Sequence, residues 1–326
     1  MTTRERFRRI LNFEPVDMLP RIEWAAWWDA TVKRWQGEGL DPTLNYEQIL
    51  EYFDMDNLVC IMVRPSSPRA PINGDGPVKN EDDYEKIRKT AYSDEVIERF
   101  IESIKPLAEP YERGDFALRV WLDGFFWYPR TLFGIEPHLY AFYDYPELMH
   151  QMNRDLCDFN IRAVNALYEV FEPEMIGLAE DMSYNHGPML SHELFSEFIT
   201  PYYRELRSAI KQRGTKMMID SDGDITTMIP WMREAGIEGV YPLERQAGVD
   251  IVKIRELYPD FLMMGGYDKM VMPLGEEAMR AEFERIFPVA KSGGYIMSVD
   301  HQTPPGVSLE NYRIYAKLYN EYARKI

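Results

Sequence analysis

Cysteine is nearly missing from this chain: Cys60 and Cys157 are the only two among 326 residues. Two thiols cannot build a disulfide framework or a four-thiolate zinc site, and their scarcity fits a reducing cytoplasm. Histidine is almost as scarce, with five residues. Basic charge is short as well: 37 Lys+Arg stand against 54 Asp+Glu, a formal charge of −17. A protein that tracks phosphates needs a net basic face, which argues against nucleic acid and against an anionic membrane surface. No apolar run reaches the ~18 residues of a membrane span. No GxGxxG dinucleotide fingerprint occurs, and no nucleophile elbow supports a Ser-His-Asp triad. The Arg-rich start carries a helical stripe of Phe7, Ile10 and Leu11 without a cleavage region, and reads as a first helix rather than a transit peptide.

What is present is a regular alternation. Short apolar runs at 19–24, 58–63, 116–122, 175–179, 216–219, 239–243, 261–264 and 295–299 read as strands. Helical patterns follow at 93–113, 140–171, 192–213, 225–235, 251–258, 276–290 and 308–325. Gly114, Gly214, Gly236 and Gly293 stand where helices should stop. Strand-then-helix repeated about eight times predicts parallel strands with right-handed crossovers, and eight strands favour a closed (β/α)₈ TIM barrel over an open sheet. The expectation is one α/β domain over 1–326. The stretch 65–92, rich in proline, glycine and charge, is expected to be an irregular insertion or lid.

The functional signal is what ends the strands. Asp123, Glu180-Asp181, Asp220-Ser221-Asp222-Gly223, Glu244, Asp268 and Asp300-His301 follow six successive strands. A barrel gathers such ends at one mouth, where unpaired carboxylates repel one another and call for a cation. Single acids in βα loops often cap the next helix, and Asp224 reads as such a cap. Asp220 and Asp222, two apart, point the same way if the strand persists. With His301 or Glu180 they would make an oxygen-rich, one-imidazole site for Mg²⁺, Mn²⁺, Fe²⁺ or Zn²⁺. Asp181, Asp268, Asp300 and His301 are candidates to orient a substrate or move a proton. Trp121, Asp123, Phe126 and Gly266 are candidates to line a flat or methyl-bearing ligand. His186 is a weaker candidate; His138, His150 and His192 read as surface or capping residues.

At these motifs the chain resembles the uroporphyrinogen decarboxylase superfamily, which includes the cobalamin-dependent methyltransferases. The resemblance rests on Glu180-Asp181 with Gly187-Pro188-Met189-Leu190-Ser191, on Phe198-Ile199-Thr200-Pro201-Tyr202, and on Asp220-Ser221-Asp222-Gly223. It continues through Glu234-Ala235-Gly236, Gly265-Gly266-Tyr267-Asp268-Lys269 and Gly293-Gly294-Tyr295-Ile296 to Pro304-Pro305 and Glu310-Asn311. It implies a (β/α)₈ barrel. Two departures limit what else it implies. Uroporphyrinogen decarboxylases, as the resemblance implies, hold an octacarboxylate with an Arg-rich segment after the first strand, where this chain has Glu23-Trp24-Ala25-Ala26-Trp27-Trp28. The zinc methyltransferases carry His-x-Cys and a later Cys, where this chain has Asp220, Asp222 and His301.

The resemblance therefore implies a metal-assisted methyltransferase with a harder metal site. Methyl would move between a corrinoid, free or held by a corrinoid protein, and a small molecule. A decarboxylase of a small carboxylate, with Lys269, Arg130 or His301 supplying positive charge, is the first alternative. A metal-dependent isomerase or hydrolase of a hydroxylated acid and a non-catalytic binder are the others. The oligomeric state stays open, a homodimer included.

Overall fold

The computed structural model describes residues 1–71, 74–210 and 214–326. Among the described residues nine strands occur: β1 Leu58–Met62, β2 Ala117–Asp123, β3 Met175–Ala179, β4 Ser183–Tyr184, β5 Gly187–Pro188, β6 Lys216–Asp220, β7 Gly239–Tyr241, β8 Leu262–Tyr267 and β9 Tyr295–Val299. Seven of them form one parallel sheet in the order β1-β2-β3-β6-β7-β8-β9, and β4 pairs with β5 as a separate small hairpin. Chain order equals spatial order, which is how successive right-handed βα units curl into a barrel.

The expected first strand, 19–24, does not join the ladder. It nonetheless bonds on both sides of the gap between β9 and β1. Asp56 N–H, just before β1, donates to Arg21 O at 2.8 Å. On the other side Trp24 N–H donates to Ser298 Oγ of β9 at 3.2 Å, and Ile22 N–H donates to the Tyr319 hydroxyl. Pro20 has no N–H, and the next inward amides are taken by side chains, so no regular ladder can form. The eighth place of the (β/α)₈ barrel is therefore filled by an extended segment.

Strand sequence decides what faces inward. In β2, Leu118, Val120 and Leu122 are fully buried among the helices. Arg119, Trp121 and Asp123 alternate with them toward the barrel interior. Register aligns Asp123, Ala179, Asp220 and Tyr241 across β2, β3, β6 and β7. Gly177 of β3 must lack a side chain, since a Cβ there would lie 2.2 Å from the Tyr241 hydroxyl oxygen.

Prolines split three of the expected helices. The 93–113 pattern becomes Asp94–Ile104, a short 3₁₀ turn containing Pro106, and Ala108–Arg113. The 140–171 pattern becomes Ile135–Asp144 and Pro146–Tyr168, and 192–213 becomes His192–Phe198 and Thr200–Ile210, its last three residues lying outside those described. Each proline lacks the amide that would continue the preceding turn. The 65–92 stretch carries a helix of its own, Glu81–Ala91. Asn80 caps it, acids fill its first turn and Arg88 and Lys89 its last, as the helix dipole prefers. Among the described residues no helix is long and apolar enough to cross a membrane.

Candidate active site

The loop after β6 is pinned from above by the β4–β5 hairpin. Gly223 sits at φ +80°, where a Cβ would come within 2.6 Å of the Tyr184 backbone, so only glycine passes beneath it. Asp224 N–H donates to Tyr184 O at 3.0 Å, and Ser183 Oγ donates to Asp222 O. This fixes Asp222 at the mouth. Glu244, after β7, comes to the same loop: its Oε2 accepts from Gly223 N–H at 2.8 Å. His301, after β9, places Nε2 3.6 Å from Asp222 Oδ2.

One ligand atom from each of Asp222, Glu244 and His301 lies within 4.8 Å of the others. Gln302 N–H donates to His301 Nδ1 at 2.8 Å, so Nε2 is the nitrogen turned toward the acids. The hydrogen bond to Asp222, reinforced by the charge of Glu244, raises the His301 pKa above its ordinary value. Trp24 meets the imidazole edge-on at 5.7 Å and Tyr241 at the same distance.

Asp220 stands behind this group. Burial first, then repulsion from Asp222, lifts its carboxyl to about 8, against the opposing pull of Arg119 and His301. Asp181 is held at φ +43°, a left-handed conformation rare for a side-chain-bearing residue, and its Oδ2 accepts from Arg130 at 3.1 Å. Burial raises its pKa, with Asp222 and Glu244 adding to the rise and Arg130 opposing it.

The other predicted acids are turned to different work. Glu180 is fully buried and its two oxygens accept from the backbone N–H groups of Phe125, Phe126 and Trp127, at 2.8, 2.8 and 3.0 Å, and from the Tyr203 hydroxyl. It braces the loop after β2 and stands apart from the Asp222 group. Asp300, also fully buried, accepts from Arg245 N–H, Lys269 N–H and Lys269 Nζ, tying the loops after β7 and β8 together. Asp268 caps the turn beginning at Lys269 and accepts from Gln246 Nε2 at 2.8 Å. Asp123 pairs with Arg64 at 3.4 Å and with Arg69, anchoring the 64–69 segment over the mouth.

Of the predicted ligand wall, Trp121 faces the barrel interior. Phe126 is fully buried against His138 and Phe142, in the helical layer. Gly266, at φ +77°, makes its close approach to Ile251 rather than to open space. His138, expected at the surface, is fully buried between those rings and its pKa falls to about 3 by burial and by repulsion from Arg130. His186 lies exposed in the β4–β5 turn. Sequence reasoning named Glu244 only as a strand-end acid, and missed Arg119 altogether. The alternation Leu118-Arg119-Val120-Trp121-Leu122-Asp123 was the available signal, because an arginine in phase with inward residues must point into the barrel.

The profile of the family described as "Uroporphyrinogen decarboxylase (URO-D)" matches residues 66–322. The chain belongs to this family. It is also 22% identical over 302 residues to the methylcobamide:CoM methyltransferase MtbA of Methanosarcina acetivorans, covering 83% of this chain and 84% of that protein. Among solved structures it is similar to a protein described as a vitamin-B12-independent methionine synthase from Listeria monocytogenes, with a TM-score of 0.44, 11% identity and coverage of 94% and 95%. It is similar, too, to the D-psicose 3-epimerase of Clostridium cellulolyticum H10, with a TM-score of 0.41, 10% identity and coverage of 86% and 91%. As a member of the uroporphyrinogen decarboxylase family, the chain pairs that barrel with a mouth bearing two carboxylates and one imidazole.

Proposed function

We propose that this family member is a metal-assisted methyltransferase that works between a corrinoid, free or protein-bound, and a small molecule. The observation that carries the reading is the convergence of Asp222, Glu244 and His301 from three different strand ends, with ligand atoms within 4.8 Å of one another. Two carboxylates and one imidazole fit a hard or borderline divalent ion such as Zn²⁺, Mn²⁺ or Fe²⁺. Asp220, favoured by the sequence, stands behind them, and Glu180 is committed to backbone amides. A bound ion supplies Lewis acidity, lowering the pKa of a hydroxyl, thiol or amine beside it. The likeness to the methylcobamide:CoM methyltransferase supports methyl transfer; the lack of a thiolate in the donor set points to an oxygen or nitrogen nucleophile.

The chain's own groups complete the chemistry. Asp220, whose carboxyl is pushed up by burial and by the Asp222 charge, is placed to hold or pass a proton next to the donor group. Asp181, oriented by Arg130, faces the same loop. Trp24, Trp121 and Tyr241 present apolar rings that exclude water from a reacting methyl carbon. Uroporphyrinogen itself fits badly, since its eight carboxylates would meet Asp181, Asp222 and Glu244. The second reading is decarboxylation of a small carboxylate, favoured by Asp220, its pKa raised by burial, beside the Arg119 charge.

Elemental analysis after incubation with Zn²⁺, Mn²⁺ or Fe²⁺, beside an Asp222→Ala/His301→Ala double variant, tests the metal. About one equivalent bound by the wild type and lost in the variant is the expected result. Methylcobalamin absorbance, followed with small hydroxyl- and amine-bearing acceptors, tests the transfer. No metal in either protein would leave decarboxylation as the better reading.

A further inference from the structure

The barrel interior below the mouth holds an unbalanced charge. Arg119 on β2 is 3% exposed, and its Nε and Nη1 have no hydrogen-bond partner. Among the described residues no carboxylate lies within ion-pair distance of it. Its guanidinium carbon sits 5.4 Å from the Trp121 ring and 5.3 Å from the Tyr241 ring. Cation–π contact with two rings offsets only part of the cost of burying a charge that has no counterion. Burial, the strongest influence, works against the Arg119 proton, and the facing Tyr241, Cys60 and Asp220 together outweigh it and raise its pKa.

The neighbours add to the imbalance. The indole N–H of Trp121 and the Tyr241 hydroxyl, whose rings face the guanidinium, are also buried without partners, as is the indole N–H of Trp24, packed on Tyr241. All can donate, and two of them can do nothing else. Buried polar groups are ordinarily paired, so a cluster of orphan donors around one cation marks the place of an acceptor. Beside Arg119 in ladder register stands Cys60 of β1, a free and solvent-exposed thiol. Solvent therefore reaches the position next to the guanidinium. Because Gly177 has no side chain, the Tyr241 hydroxyl comes in over β3 on the side of Arg119.

We infer that Arg119, flanked by Cys60, Trp121 and Tyr241, with Trp24 packed on Tyr241, is an anion subsite that takes the carboxylate of a small, flat substrate. The inference deepens the methyl-transfer reading by giving its substrate class, and rests on that reading for placing the substrate's other end toward Asp222, Glu244 and His301. A carboxylate matches the bidentate fork of a guanidinium, accepts from indole N–H groups and carries the charge that the barrel lacks. The flanking rings give a planar body its walls.

Cys60 provides a direct test, because Cys157 is fully buried and leaves Cys60 as the accessible thiol. In alkylation the sulfur forms a C–S bond, the C–I bond breaks, iodide leaves and the thiol proton passes to solvent. A free thiol reacts faster with neutral iodoacetamide than with anionic iodoacetate. Metal-free wild type is expected to reverse that order, with iodoacetate about tenfold faster and saturable, as for a reagent bound beside its target. Benzoate should slow the reaction, and benzamide should not. Arg119→Met should restore the order of a free thiol, while Arg119→Lys should keep part of the preference through its charge. Iodoacetamide reacting faster with wild type, without saturation and without protection by benzoate, overturns the inference. Should Arg119→Met fail to fold, the wild-type competition and Arg119→Lys decide. The Asp222→Ala/His301→Ala variant should keep the iodoacetate preference, so loss of the metal site and loss of the anion subsite are read separately.

Discussion

Glu180 and Glu244 both follow a barrel strand, and the barrel treats them in opposite ways. Glu180 meets three free backbone amides and a tyrosine hydroxyl, which together occupy its carboxylate. Glu244 meets one amide, that of Gly223, and keeps the rest of its capacity for the mouth. The same contrast separates Asp300, held by two amides and a lysine, from its neighbour His301, whose Nε2 faces Asp222. A carboxylate offers about four acceptor positions. Where loop amides fill them the acid is architecture; where they do not, it is available for chemistry. Gly124 shows how tightly the first kind is fitted, since a Cβ there would lie 2.2 Å from the Glu180 carboxyl carbon.

The contrast can be broken by substitution. Glu180→Ala leaves three backbone amides without partners, two of them buried and each of those costing about 1–3 kcal/mol. Urea unfolding should show a loss of about 3 kcal/mol or more, whereas Glu244→Gln should lose no more than about 1 kcal/mol. Equal losses would dissolve the distinction between brace and site. The converse should hold for metal: Glu244→Gln should weaken Zn²⁺ affinity by at least the about 10–100-fold that outer-sphere partners command. Asp268→Ala, which removes a cap, should leave that affinity unchanged.

Acidity sharpens the comparison. Asp220 is lifted to about 8 and Glu180 and Glu23 to about 7, in each case by burial first. Each keeps in the folded state a proton that it loses near pH 4 when unfolded. The folded protein thus binds more protons between about pH 4 and 8, and stability should fall as pH rises through that window. In metal-free protein the urea midpoint should decline from pH 5 to pH 8.5, and Asp220→Asn should flatten the upper part of that slope. A midpoint that rises with pH would contradict the burial of these acids. The smallest expected effect is on stability in Asp268→Ala, about 1 kcal/mol for a lost cap at Met270 N–H.

Much of the architecture could be read in advance. Strands at 175–179 and 295–299 form with the expected bounds, because continuous apolar runs between turn residues leave little choice of register. The 19–24 segment was harder to read: its composition is that of a strand, but its amides find Tyr319 and Ser298 side chains, contacts set by residues nearly 300 positions away. In the mouth, Asp222 and His301 come together, while Asp220 stays behind and Glu244 takes the third position. Arg119 escaped notice because a lone arginine within a strand looks like a surface residue until the sheet closes.

Local sequence determined the alternation of strand and helix, the breaks at Pro106, Pro146 and Pro201, and the placing of an acid after each of six strands. Those features depend on dihedral preference and side-chain periodicity over a few residues. Tertiary structure alone decided which acids are free, because the amides that consume Glu180 lie 53 to 55 residues earlier in the chain. It also decided that a cation would stand unpaired inside the barrel, since that charge balance exists only once β1, β2, β6 and β7 surround the same space.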